Sequence, residues 1–134
     1  MSIELPYRCF LHHKNPCSEL TTAPRYRPAD SLESPRFTGV RTFMRLPALQ
    51  TTDGVDAAIV GLPFDTAASF RVGARFGPEA IRSASVLLRP YHSTLDVDIF
   101  EHLSVVDYGD APVAPGFIED SFDRITRFLQ PLHS

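Results

Sequence analysis

No apolar run in this chain approaches the roughly 20 residues that a membrane-spanning helix requires. The first ten residues, MSIELPYRCF, also lack the apolar stretch of a secretion signal, so the default expectation is a cytoplasmic protein. Cysteine is scarce, with only Cys9 and Cys17, and the gap between them holds His12 and His13. Thiolate and imidazole are zinc-ligand chemistry, but C-x2-H-H-x3-C matches no common finger spacing, and free thiols in a reducing compartment are the simpler reading. No GxxxxGK[ST] phosphate loop occurs. A strong excess of either sign of charge is absent: the net charge is −3 and the pI about 5.9, which gives no reason to expect nucleic acid or a membrane surface as partner.

What is present suits one globular unit. A hydrophobic share of 43% in 134 residues is sufficient to bury a core. The charge is unevenly divided: residues 1–50 carry seven basic and four acidic groups, and residues 51–134 carry six basic and twelve acidic ones. The first part is rich in proline, with Pro6, Pro16, Pro24, Pro28 and Pro35, and lacks periodicity, so residues 1–50 read as an irregular leader and lead-in with one short helical turn at most.

Order begins after the turn Thr51-Thr52-Asp53-Gly54. Residues 57–62 are a continuous apolar run, the form of a parallel strand covered on both faces. Pro63, Phe64, Asp65 and Thr66 lead into a polar loop with Ser69, Arg71, Gly73 and Arg75, and Gly77-Pro78-Glu79 opens a helix. Ala80, Ile81, Ala84, Leu87 and Leu88 fall on one side of that helix, which predicts Arg82 and Ser83 turned away and an end at Pro90. Arg82 and Arg89 then read as solvated or ion-paired.

Residues 91–101 read as a connecting loop. Its Asp96, Asp98 and Glu101, with His102 just after it, have metal-ligand chemistry, yet a solvated loop explains them better. Residues 103–108 predict a second strand, parallel to the first across a βαβ crossover. Asp107 and Asp110 then stand at the carboxyl edge of the sheet, where open α/β sheets bind ligands. Two readings of this pair stay open: aspartates that bond turn amides, with Gly109 supplying an unusual backbone angle, or an acidic edge suited to a guanidinium. Ile118, Phe122, Ile125, Leu129 and Leu132 form the stripe of a final amphipathic helix that Pro131 ends.

The pattern G-x-P-x-D-x-x-x-S-x-R-x-G-x-R-x-G-P-x-x-I-R, filled by Gly61, Pro63, Asp65, Ser69, Arg71, Gly73, Arg75, Gly77, Pro78, Ile81 and Arg82, resembles the first strand and loop of the ureohydrolase (arginase) family. Its wording is closest to agmatinases and guanidinobutyrases. The likeness continues through SVLLRPY at residues 85–91 and VVDYGD at residues 105–110, and RFTGV with FMRLP at residues 36–47 looks like the lead-in of bacterial members.

The resemblance implies an α/β fold, the N-terminal part of a three-layer α/β/α arginase-like domain with a parallel sheet, built here as one βαβ unit plus a following helix behind the irregular leader. Residues 51–134 would be an incomplete N-terminal part of that domain. It implies hydrolysis of a guanidino carbon–nitrogen bond, as of agmatine to putrescine and urea, by hydroxide held between two manganese ions. It also implies a homo-oligomer acting on a small guanidino compound. The family's ligand motifs G-G-D-H, D-A-H-x-D and D-x-D-x-x-D-P do not occur, so no manganese is expected to be held by this chain alone, no residue is assigned to catalysis, and the isolated chain is expected to be inactive. Phe64, Asp65, Thr66, Ser69 and Arg71 are candidates for the substrate rim, with Asp107 and Asp110 as support at the sheet edge. Two other uses stay open: an anion site at Arg71, Arg75 and the amides after Gly77, and a fragment that docks onto full-length subunits.

Overall fold

The computed structural model describes residues 24–133. Cys9, His12, His13 and Cys17 and most of the proline-rich leader lie outside them. The chain is laid around one strand, β4 (Val105–Asp110), whose burial is unbroken from Val105 to Tyr108. β1 (Ala57–Gly61) pairs with it in parallel, Ala57 opposite Val105 and Gly61 opposite Asp110, with a slip in register between Ile59 and Val60. On its other side β4 takes the lead-in. The Asp107 amide donates to the Pro47 carbonyl, the Leu49 amide donates to the Asp107 carbonyl, and the Val105 amide donates to the Tyr26 carbonyl. Ala48 thereby bridges Asp107 in the parallel sense.

Successive residues of a strand point to opposite faces, and β4 uses both. Val105 packs with Leu46 and Phe100, flanked by Phe43, Met44 and Ile59. Val106 has no exposure, and the Tyr108 ring meets Phe128 edge-on at 5.3 Å between centroids. Phe128 belongs to α2 (Ile118–Leu129), whereas Asp107, on the Val105 face, is met by Arg82 of α1 (Gly77–Ser85). The two helices therefore cover opposite faces of β4, giving helix, parallel sheet and helix in three layers.

Several local expectations need correction. β1 stops at Gly61, and only Gly61 is buried in it, so the apolar run does not mark a strand covered on both faces. Leu62 follows it half in solvent, and the far edge of β1 pairs with no strand among the described residues. The second strand starts at Val105 rather than residue 103 because the Ser104 carbonyl accepts from the Asp56 and Ala57 amides and anchors the strand start there.

α1 turns the other way from its apolar stripe. Its buried side is Arg82 and Ser85, while Ile81, Leu87 and Leu88 are exposed. The helix also ends at Ser85, before Pro90, as tight turns from Leu87 and Leu88 onto the Ala84 and Ser85 carbonyls replace it, so Arg89 lies beyond it. Within the expected loop, β2 (Tyr91–His92) and β3 (Val97–Asp98) form a small antiparallel hairpin.

α2 ends at Leu129, and Pro131 sits in a following 3-10 turn, Gln130–Leu132. Its stripe is half right: Ile125 and Leu129 turn inward, and Ile118 and Phe122 remain exposed. No helix among the described residues is long and apolar enough to cross a membrane.

Candidate functional site at the carboxyl edge of the sheet

Past β1 and at the end of β4 stand aspartates held by arginines. Past β1, the chain turns through Pro63 and Phe64 to Asp65, which is buried. Its Oδ2 accepts the Gly73 amide at 3.0 Å and the Arg75 amide at 3.4 Å, and its Oδ1 accepts Arg75 Nε at 2.6 Å. One carboxylate thus ties both ends of a ten-residue loop. Within that loop Ala67 and Arg71 hold positive φ, at 72° and 52°, and Gly73 sits at 151°. For non-glycine residues such angles cost about 1–2 kcal/mol each, which bonds from Asp65 help to offset. Burial alone would raise the Asp65 carboxyl, but the bonds from Arg75 and the Gly73 amide outweigh it and hold the group below the ordinary carboxylate range.

At the end of β4 the arrangement is tighter. Arg82 donates from Nε to Asp107 Oδ2 at 2.7 Å, from Nη2 to Asp107 Oδ1 at 2.8 Å, and from Nη1 to Asp110 Oδ1 at 2.6 Å. Asp107 Oδ2 also accepts the Phe43 amide at 2.7 Å, and its Oδ1 the Gly109 amide at 3.0 Å. Gly109 has φ 91°, so the expected unusual angle and the turn-amide bond are both there. Gly61 lies so close beneath Asp110 that a Cβ there would overlap the Asp110 carboxylate and stand 2.9 Å from Pro78 Cβ. For Asp107, burial again pushes the carboxyl up, and the Arg82 fork with the Phe43 and Gly109 amides wins and lowers it. The Arg82 guanidinium, held chiefly by its bonds to Asp107, is driven above its already high value.

The structure therefore brings Asp107 and Asp110 together, around Arg82. Arg82 does not turn to solvent: a buried cation needs paired anions, and these stand across the sheet edge 25 and 28 residues away. The rim candidates share one loop but not one environment. Phe64 is half-buried against Phe122, ring centroids 5.6 Å apart, and Thr66 is half-buried beside Asp65. Ser69 and Arg71 lie at the exposed tip, where the Arg71 guanidinium stands 5.3 Å from the Phe70 ring centre. Of the two loop arginines, Arg75 ties the loop to a carboxylate. Asp96 accepts from the Tyr91 hydroxyl and Asp98 from the Phe100 amide.

Sequence reasoning missed Ser85, whose hydroxyl accepts the Met44 amide at 2.8 Å and donates to the Arg82 carbonyl at 2.7 Å. The signal was there in the spacing, since Pro78, Arg82 and Ser85 share one helix face at i, i+4 and i+7.

The described residues do not fit a two-metal centre. Among them no three His, Cys, Asp or Glu side chains gather, and the three aspartates at the strand ends are each bonded to an arginine. A divalent site needs carboxylates free to take the ion.

The arginase-family model matches residues 55–134, more than half the chain. The chain belongs to the arginase family. Among family members, the guanidinopropionase of Pseudomonas aeruginosa is 39% identical over 108 residues, covering 81% of this chain and 34% of that protein. The guanidinobutyrase of the same organism is 42% identical over 110 residues, covering 75% and 34%. Among solved arginase-fold structures, the proclavaminate amidinohydrolase of Streptomyces clavuligerus superposes with a TM-score of 0.69 at 37% identity, over 75% of this chain and 33% of that one. The chain thus spans about a third of the length of these relatives, and the loop between β1 and α1 lies inside the family match.

Proposed function

We propose that this chain represents the N-terminal part of an agmatinase-like ureohydrolase, with residues 51–134 belonging to its catalytic domain and residues 1–50 leading into it. The reaction is hydrolysis of the guanidino carbon–nitrogen bond of a linear amidine such as agmatine, which yields urea and putrescine. The observation that carries the reading is the family match over residues 55–134, together with relatives named for guanidinopropionate and guanidinobutyrate hydrolysis. The metal supplies a hydroxide nucleophile at neutral pH in such chemistry. The present residues carry no step of it, because Asp65, Asp107 and Asp110 are already bonded to arginines. Phe64, Asp65, Thr66, Ser69 and Arg71 would form part of the rim that a guanidino substrate passes, with Asp65 shaping the loop rather than touching the substrate. Asp107 and Asp110 would support the edge.

The 134-residue chain by itself is then inactive, in a cytoplasmic setting where the family acts as a homo-oligomer. Urea release from agmatine, 4-guanidinobutyrate and 3-guanidinopropionate, measured on the purified chain with added manganese, tests this: the expected rate is the buffer rate. Manganese-dependent turnover overturns the inactivity.

A second reading is a non-catalytic fragment that docks onto full-length subunits. Its specific support is the exposed apolar surface of Phe70, Phe76, Ile81, Leu87 and Phe122. Native mass measurement after mixing with an intact homologue separates the two, since only docking yields mixed oligomers. The anion-binding variant of this reading is weakened by Arg75, whose guanidinium is already bonded to Asp65.

A further inference from the structure

Two consecutive residues of the lead-in, Met44 and Arg45, hold left-handed backbone angles, φ 50° and 63°. Neither is glycine, so the turn Phe43–Arg45 is strained and persists only because its surroundings fix it. Neighbouring side chains fix it. The Phe43 amide is taken by Asp107, the Met44 amide by Ser85, and Thr42 Oγ1 donates to the Leu46 carbonyl at 2.7 Å. From the turn itself, Arg45 Nη2 donates to the Ser34 carbonyl at 2.8 Å, which carries the constraint into the rest of the lead-in.

Asp107 holds the Phe43 amide only while its own orientation is held. An ionised carboxylate has about four acceptor sites. Here four donors fill them: Arg82 Nε, Arg82 Nη2, the Phe43 amide and the Gly109 amide. The remaining Arg82 edge takes Asp110. A planar fork is required for this, and a lysine ammonium, a point charge on one axis, cannot engage Asp107 through two donors and reach Asp110 as well.

We propose that Arg82 is a positioning residue that acts through Asp107 to set the strained turn Phe43–Arg45 against the sheet edge, and that its guanidinium keeps a substrate guanidinium off Asp107. The first half stands on the geometry alone. The second rests on the ureohydrolase reading, because it is there that an incoming guanidino group matters: at this edge it would find the Asp107 acceptor sites filled and a like charge beside them. Phe64, Thr66, Ser69 and Arg71 after β1 are then the substrate-facing side chains, and Asp107 is not.

The test uses the full chain and needs no turnover. In Arg82→Gln, amide hydrogen exchange at Phe43 and Gly109 accelerates at least about tenfold, as loss of a charge-assisted anchor implies. Exchange at Gly73 and Arg75, which hang on Asp65, stays within about twofold. The side-chain carboxyl titration of Asp107, followed by its carbon-13 shift, moves upward, and Arg82→Lys does not restore either property. Low-millimolar guanidinium chloride, against sodium chloride at equal ionic strength, shifts the Asp107 carboxyl resonance in Arg82→Gln and leaves it unmoved in the wild type.

Uniform acceleration at all four amides, or full recovery with lysine, overturns the positioning role. A response of Asp107 to guanidinium in the wild type overturns the exclusion. Should Arg82→Gln not fold, the wild type still decides: slow exchange of the Arg82 Nε proton and distinct Nη resonances support the clamp, and a freely rotating guanidinium overturns it. Agmatine added to the wild type keeps the two readings apart. A shift at the Asp107 carboxyl sinks the exclusion, whereas shifts confined to residues 64–71 uphold it. Silence at residues 64–71 counts against the functional reading and leaves the clamp intact.

Discussion

The two strand ends use the same chemistry to different depth. Asp65 with Arg75 and Asp107 with Arg82 are both aspartate–arginine pairs whose carboxylates are 2% exposed, but the Arg75 side chain is 40% exposed and that of Arg82 only 11%. One pair shapes a local loop ten residues long, and the other joins lead-in, helix and strand across 25 to 64 residues. Burial and reach, rather than bond length, decide how much of the molecule depends on a pair. A cation that can be rehydrated costs little when its partner leaves, and one that cannot leaves an uncompensated charge inside.

The largest effect is expected at the deeper pair. Asp107→Asn leaves Arg82 buried with half its partners, and a loss of about 3–5 kcal/mol is expected in urea unfolding. A loss no greater than that of Asp65→Asn would mean that depth is irrelevant.

Acid comes next, since both carboxyls titrate below the ordinary value. With depressed folded values the unfolded chain binds protons first, so this stability is complete above about pH 4 and is lost as pH falls through the folded values. Circular dichroism between neutral pH and pH 2 should show that loss, and Asp107→Asn should flatten it more than Asp65→Asn does. Gly61→Ala drives a methyl group into the Asp110 carboxylate and toward Pro78, for an expected cost of about 1–3 kcal/mol by thermal unfolding.

Asp65→Asn should act locally. Trypsin cleavage after the exposed Arg71 accelerates several-fold while the melting temperature moves little. Smallest of all is Arg124→Ala, which removes the exposed i,i+4 pair with Asp120, both partners being near half exposed. Its melting curve should overlay the wild type.

Much of the layout was legible because it is local. The apolar runs, the Gly77-Pro78-Glu79 helix start and the turn chemistry around Gly109 located β1, α1 and β4 to within a few residues. The parallel pairing followed from strand, helix and strand in order. The burial of Arg82 was not legible, because helical periodicity counts hydrophobicity and assigns a charge to water, whereas the partner that reverses this lies 25 residues away. The hairpin of β2 and β3 escaped for a similar reason. Two-residue strands carry too little alternation to register, and Asp96, an L-residue at φ 52°, makes the turn where glycine was the signal to look for. At the candidate site, the loop aspartate and the two edge aspartates stand out by their places near strand ends, whereas the sequence leaves Arg82 open between solvent and an ion pair, and Arg75 between an anion site and a tie to a neighbouring carboxylate.

The lead-in lies along β4 through Pro47, Ala48 and Leu49, so among the described residues the central strand has neighbours on both sides while β1 has one. Growth of this sheet is consequently one-directional. A visiting strand, from whatever source, would find its hydrogen-bonding register along Ala57–Gly61 and nowhere on the flank that residues 47–49 already close.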